Sequence, residues 1–128
     1  MAEPCALIVD DEPDIRELLE ITLGRMGIET FSAADLRAAE EAVSARHFDL
    51  CLTDMRLPDG NGIDLVRYIQ RRAPDLPVAM ITAHGNMESA IDALKAGAFD
   101  FVSKPVDLQN LRDLVTTALR LSDRTDTA

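Results

Sequence analysis

The tightest constraint on the fold is a run of five residues, Cys5–Val9 (CALIV), apolar at every position and cut off by Asp10-Asp11-Glu12. The run is too short for a helix and does not alternate, so it reads as a strand buried on both faces. Such strands occur where helices cover both sides of a parallel sheet. The chain supplies the first helix at once: Pro13 suits an opening helical turn, and Ile15, Leu18, Leu19, Thr22, Leu23 and Met26 recur at helical spacing up to Gly27.

The pattern then repeats along the chain. Residues 28–32 (IETFS) predict a second strand with one wetter face, and 35–46 a helix carrying Leu36, Ala39 and Val43 inward. Residues 50–53 predict a third strand with Asp54 at its end, and 57–62 (LPDGNG) a loop dense in turn formers. A third helix over about 62–72 carries Ile63, Leu65, Val66, Tyr68 and Ile69 and is closed by Pro74 and Pro77. Residues 78–81 predict the fourth strand, ending at Thr82. Met87, Ala90, Ile91 and Leu94 predict the apolar stripe of the next helix, stopped at Gly97. Residues 99–102 predict a fifth strand, ending at Ser103-Lys104-Pro105, and Asp107 an N-cap for a last helix through Leu121. Residues 1–121 thus form one domain, and the polar, aperiodic 122–128 (SDRTDTA) read as a frayed tail or the start of a linker. Alternating strands and helices imply an α/β fold with a doubly wound parallel sheet, because parallel neighbours need right-handed helical crossovers.

Composition removes several classes of function. A chain of 128 residues suffices for one core, and no apolar run approaches the ~20 residues of a membrane helix. Met1-Ala2-Glu3-Pro4 lacks the basic region of a secretory signal, so the chain is expected to be cytoplasmic. A formal net charge of -10 argues against direct contact with nucleic acid, whose phosphates are met by Lys and Arg. Cys5 and Cys51 fall in strand-like runs and read as buried thiols. His47 reads as a surface residue, and Met26, Met55, Met80 and Met87 as packing.

Strand ends in a parallel sheet of this kind share one edge, so Asp10, Asp11, Asp54, Thr82 and Lys104 should gather there. Three carboxylates at close range repel unless a cation sits among them, and an oxygen-only set suits a hard ion such as Mg2+. A metal, an ammonium and a hydroxyl together suit a phosphoryl group, whose transfer is mostly positioning and charge neutralisation. Asp54 is the expected nucleophile, since a carboxylate can attack phosphorus to give an acyl phosphate.

Asp10-Asp11, Asp54, Thr82-Ala83 and Lys104-Pro105, in this order and spacing, resemble the receiver domain of bacterial two-component response regulators. The resemblance spans nearly the whole chain. LTDMRLPDGNGIDL and ITAHGNMESAIDALKAGAFDFVSKP are similar to receivers of NtrC-type activators of sigma-54 promoters. ALIVDDEPDIRELLEITLGRMG and KPVDL resemble those members that regulate type IV pilus genes.

The resemblance implies a flavodoxin-like five-stranded sheet of order 2-1-3-4-5 with five helices. It implies that Asp54 accepts phosphate from a sensor histidine kinase. Asp11 and Asp54 would ligate Mg2+ directly, Asp10 through water, and Arg56 through its backbone carbonyl. Lys104 and Thr82 would hold the phosphoryl oxygens, and Phe101 would be a switch aromatic that turns inward as the Thr82 hydroxyl moves, with the small Ala83 leaving room. The Lys104-Pro105 bond would be cis. Arg56 and His84 hold positions that tune phosphate lifetime. The domain would then be a switch more than an enzyme, presenting a face of its fourth helix, fifth strand and fifth helix to an output domain outside this sequence or to a second copy. Two rivals remain: an aspartyl-nucleophile phosphohydrolase, disfavoured because Arg56 stands where such enzymes carry a second acid, and a receiver-like interaction module independent of phosphate.

Overall fold

The computed structural model describes residues 3–83 and 87–127. Its elements in chain order are β1 (Cys5–Val9), α1 (Pro13–Arg25), β2 (Glu29–Ala33), α2 (Leu36–Ala45), β3 (Leu50–Asp54), β4 (Arg56–Leu57), β5 (Gly60–Asn61), α3 (Gly62–Arg72), β6 (Val78–Thr82), α4 (Met87–Ala96), β7 (Asp100–Ser103) and α5 (Leu108–Thr127). The sheet is parallel throughout in the order β2-β1-β3-β6-β7, which is the expected 2-1-3-4-5 once the short antiparallel pair β4-β5 is set aside.

Every residue of β1, β3 and β6 is buried, as their unbroken apolar runs require. Alternate side chains feed two cores. Cys5, Leu7, Val9, Cys51, Val78 and Met80 meet residues of α2, α3 and α4 on one side. Ala6, Ile8, Leu50, Leu52, Ala79, Ile81 and Val102 meet α1 and α5 on the other. Fully burying a Leu or Ile contributes roughly 1.5–3 kcal/mol, so both layers are needed to hold these central strands. Because both faces are apolar, a one-residue slip would not expose them; the polar residues at the strand ends distinguish the register instead. The observed register pairs Val9 with Thr53, Asp54 with Ile81 and Thr82 with Ser103, which brings the polar ends level along one rim.

Helix signals act locally where the sequence places them. Asp35 accepts the amide of Ala38 at 2.8 Å and Asn61 that of Asp64 at 2.9 Å. Asp107 accepts those of Gln109 and Asn110 at 2.9 and 3.0 Å, the predicted cap of α5. Gly27, at φ 81°, takes the left-handed conformation that ends α1.

Three expectations are corrected. The segment 57–62 is not wholly loop, since Arg56 pairs with Asn61 and Leu57 with Gly60 as β4-β5; strands of two residues are too short to leave a periodic signal. Helix α5 continues past Leu121 to Thr127, through the stretch expected to be a tail, because 122–127 contain no Gly or Pro to stop it. In α4 only Ala90 and Ala93 are buried, whereas Met87, Ile91 and Leu94 are exposed. The alanine face lets α4 lie close to its neighbours, and no further layer covers the larger side chains. Met87 is therefore not packing, while Met55 and Met80 are.

Candidate functional site

The carboxyl ends of β1, β3, β6 and β7 deliver the candidate residues to one rim. Asp10 follows β1, Asp54 ends β3, Thr82 ends β6 and Lys104 follows β7. The last two are tied through the backbone, since the Lys104 amide donates to the Thr82 carbonyl at 2.7 Å. The Lys104-Pro105 peptide is cis, as the family resemblance implied.

Asp10, Asp11, Glu12 and Asp54 each offer a carboxylate oxygen, and these four atoms lie within 4.8 Å of one another. Asp10 is fully buried. Its Oδ1 accepts the amide of Glu12 at 2.9 Å and its backbone carbonyl accepts Arg16 Nη1 at 2.7 Å. Among the described residues its Oδ2 has no hydrogen bond and faces the Lys104 ammonium at 3.4 Å. Asp54 is buried except for a side-chain edge, and its Oδ1 accepts the amide of Met55 at 2.9 Å.

Lys104 Nζ stands 3.4 Å from Asp10 Oδ2, 3.4 Å from Glu12 Oε1 and 3.4 Å from Asp54 Oδ1. One ammonium thus faces three carboxylates. Burial raises the Asp10 carboxyl above its ordinary value, against the opposing pull of the Glu12 amide and Lys104. Burial, followed by the Asp10 charge, raises that of Asp54. For Lys104, burial works against the ammonium, but the Asp10, Asp54 and Glu12 charges outweigh it and the pKa rises. The cluster carries more negative charge than one lysine neutralises, and a buried carboxylate oxygen without a hydrogen bond faces into it. Both observations fit a divalent cation bound by oxygen ligands.

Asp11, Asp54, Arg56, Ala83 and Lys104 line one cleft. Arg56 and Ala83 are exposed, whereas Thr82 is buried at the end of its strand. Phe101 is half-buried and packs against the core that faces α2, α3 and α4. His84 lies outside the described residues. His47 is exposed and approaches Asp49 at 3.3 Å, which agrees with a surface role. Cys5 and Cys51 are buried free thiols. A second groove of about 480 Å³ runs between β7 and α5, but among the described residues that line it Asp100, Asp107 and Asp113 are joined by no Lys or Arg, so size does not make it the better candidate.

Two residues of this region were not singled out from the sequence. Glu12 joins the carboxylates and reaches Lys104, a role hinted at only by the acidic triplet 10–12. Asp59 bonds to the start of α2 from the β4-β5 turn. No local pattern announces that contact.

Residues 6–116 match the family described as "Response regulator receiver domain". The chain is 68% identical over 121 residues to "Response regulator protein PilR" of Pseudomonas aeruginosa, covering 94% of this chain and 27% of that protein. It is 38% identical to "Regulatory protein AtoC" of Escherichia coli, covering 90% and 25%. The chain therefore spans about a quarter of the length of these relatives. Among solved structures, the receiver domain of NtrX from Brucella abortus superposes with a TM-score of 0.86 at 38% identity, over 90% of this chain and 98% of that one.

Proposed function

This chain belongs to the response regulator receiver domain family, a family of signalling switches, and from that premise we propose that Asp54 accepts a phosphoryl group from a sensor histidine kinase, or from a small phosphodonor, by self-catalysed transfer. The observation that carries the proposal is the single ammonium of Lys104 held 3.4 Å from both Asp10 and Asp54 beside two further carboxylates.

Asp10, Asp11 and Asp54, with the backbone carbonyl of Arg56, would hold Mg2+. When bound, the ion supplies charge neutralisation among the carboxylates and on the phosphoryl oxygens. Asp54 Oδ1 accepts the Met55 amide and faces Lys104, and one oxygen of this carboxylate attacks phosphorus. That oxygen forms the new bond to phosphorus while the bond from phosphorus to the donor's imidazole nitrogen, or to the donor's acyl oxygen, breaks and the donor leaves with its electron pair. Lys104 then exchanges carboxylate contacts for a phosphoryl oxygen, and the Thr82 hydroxyl moves toward another. Phe101, adjoining the same rim, follows into the space beside Ala83. Arg56 and His84 set how readily water reaches the acyl phosphate, whose hydrolysis resets the switch.

Phosphorylation shifts a pre-existing equilibrium rather than building a new structure. The exposed Met87, Ile91 and Leu94 of α4 support a docking or homodimer face formed by α4 and β7. In the full-length protein this face would control an output domain and sigma-54-dependent transcription, with type IV pilus genes as the regulon that the opening motif implies. No helix among the described residues is long and apolar enough to cross a membrane. The decisive test is mass spectrometry after incubation with acetyl phosphate and Mg2+. Wild type should gain one phosphoryl group and Asp54→Ala none; a modified Asp54→Ala protein would refute the assignment.

A further inference from the structure

The β4-β5 hairpin, which carries Arg56, is fastened to α2 by one side chain. Asp59 Oδ1 accepts the amide of Leu36 at 2.7 Å, and Oδ2 accepts that of Arg37 at 3.0 Å. These are the first two unpaired amides of α2, and Asp35 already takes the third, from Ala38, at 2.8 Å. One N-cap is enough to start a helix. A second carboxylate, brought from more than 20 residues further along the chain, therefore does something other than start α2.

What it does is visible at its own end. Gly60, next in sequence, lies so close to α2 that an added Cβ would stand 2.6 Å from Leu36 Cδ2. The hairpin is thus seated on α2 by a bidentate carboxylate and by the close approach of Gly60 to the Leu36 side chain. From there a continuous series of bonds leads to the candidate nucleophile. Arg56 pairs with Asn61 and Leu57 with Gly60, the Gly62 amide donates to the Met55 carbonyl at 2.7 Å, and the Met55 amide donates to Asp54 Oδ1 at 2.9 Å.

We infer that Asp59 is a positioning residue for the phosphoryl-transfer site: by latching the hairpin to α2 it fixes the backbone at Arg56 beside the carboxylates, and so sets the affinity for Mg2+. The inference rests on the reading of Asp10, Asp11, Asp54 and the Arg56 carbonyl as a magnesium site. Asp59 itself touches neither metal nor phosphate. The two amide bonds also hold its carboxyl below the ordinary value, so the ionised form that makes the latch is the one the fold favours.

The test is calorimetric titration with Mg2+ and the Mg2+ dependence of phosphorylation by acetyl phosphate, on wild type, Asp59→Ala, Asp59→Asn and Asp64→Asn. Asp64 is exposed in the first turn of α3 and its carboxylate lies beside Gly60 without bonding to α2, so its variant removes a nearby charge while both Asp59 bonds stay in place. Asp59→Ala should weaken Mg2+ binding roughly tenfold, the lower end of what partners behind a metal ligand contribute. Its maximal rate at saturating Mg2+ should stay near wild type. Asp59→Asn, which keeps one acceptor oxygen, should fall between, and Asp64→Asn should match wild type. Unchanged Mg2+ affinity in Asp59→Ala would overturn the inference, and so would an equal loss in Asp64→Asn, which would mark a field effect. A wild-type chain that binds no Mg2+ would instead overturn the site reading beneath it.

Discussion

Lys104 and Asp54 meet at 3.4 Å, Nζ to Oδ1, from strand ends on either side of β6, while Asp10 and Glu12 stand at the same distance from the same ammonium. The lysine thus occupies the electrostatic position that a divalent cation would share. Replacing it with Met removes a competing charge, so Mg2+ should bind more tightly, by tenfold for about every 1.4 kcal/mol of repulsion removed. Phosphorylation should fall at the same time, because the phosphoryl oxygens lose their cation. Calorimetry and a phosphorylation assay on Lys104→Met would separate these effects; weaker Mg2+ binding would contradict the geometry.

The raised carboxyls of Asp10 and Asp54 make a statement about stability. A folded pKa above the unfolded one means that the fold binds the proton more tightly, so the stability it contributes is fully present below the unfolded pKa and is lost as pH rises through the folded one. In metal-free buffer, Asp10→Asn should therefore be more stable than wild type at neutral pH. A gain of about 1 kcal/mol would appear as a rise in Tm of roughly 2–5 °C. The difference should shrink toward about pH 4, where wild type takes up the proton as well. Thermal melts of both proteins with a chelator, across that range, would check it; an Asp10→Asn protein that melts lower at neutral pH would contradict the sign. Lys104, raised in the opposite charge sense, should support the fold until the pH climbs past its own folded value.

Gly62 opens α3 against the site. A Cβ there would stand 2.5 Å from the Asp54 carbonyl oxygen and 2.7 Å from Met80 Sδ, and the backbone neighbour has nowhere to go. Gly62→Ala should cost about 1–3 kcal/mol through overpacking. It should also displace Asp54, lowering phosphorylation beyond what the lost stability explains. Gly24→Ala is the control, since nothing lies within 4 Å of an added Cβ there. It should be neutral or stabilising in the last turn of α1.

Where a feature depends on neighbours in sequence, the chain announces it. Cys5–Val9 bounded by acids could only be a two-sided strand, and Asp35, Asn61 and Asp107 cap the helices they precede. The gathering of Asp10, Asp54, Thr82 and Lys104 was legible because parallel topology sends all strand ends to one rim. Features that depend on distant partners were not. Glu12 finds Lys104 from the other end of the chain, and Asp59 finds the amides of α2 across the β3-α3 connection. The outward face of α4 was misread because helical periodicity locates a stripe but not which stripe the sheet meets; alanines at 90 and 93 won the inner side by allowing closer approach.

That outer stripe carries the last prediction. Ile91 and Leu94 are each more than a third exposed, so replacing both with Gln removes apolar surface without opening a cavity, and Gln keeps a good helix propensity. Surface changes of this kind usually alter stability by about 0.5 kcal/mol or less. The double variant should therefore melt within a degree or two of wild type and accept phosphate on Asp54 at the same rate. If the α4 face is where the phosphorylated domain meets a second copy, wild type should sediment faster with a beryllofluoride phosphate mimic and Mg2+ than without, and the double variant should not. A wild type whose sedimentation is indifferent to the mimic would leave α4 as a face for the output domain instead. A double variant that still self-associates would move the interface off α4, toward the acidic groove between β7 and α5 that Asp100, Asp107 and Asp113 line.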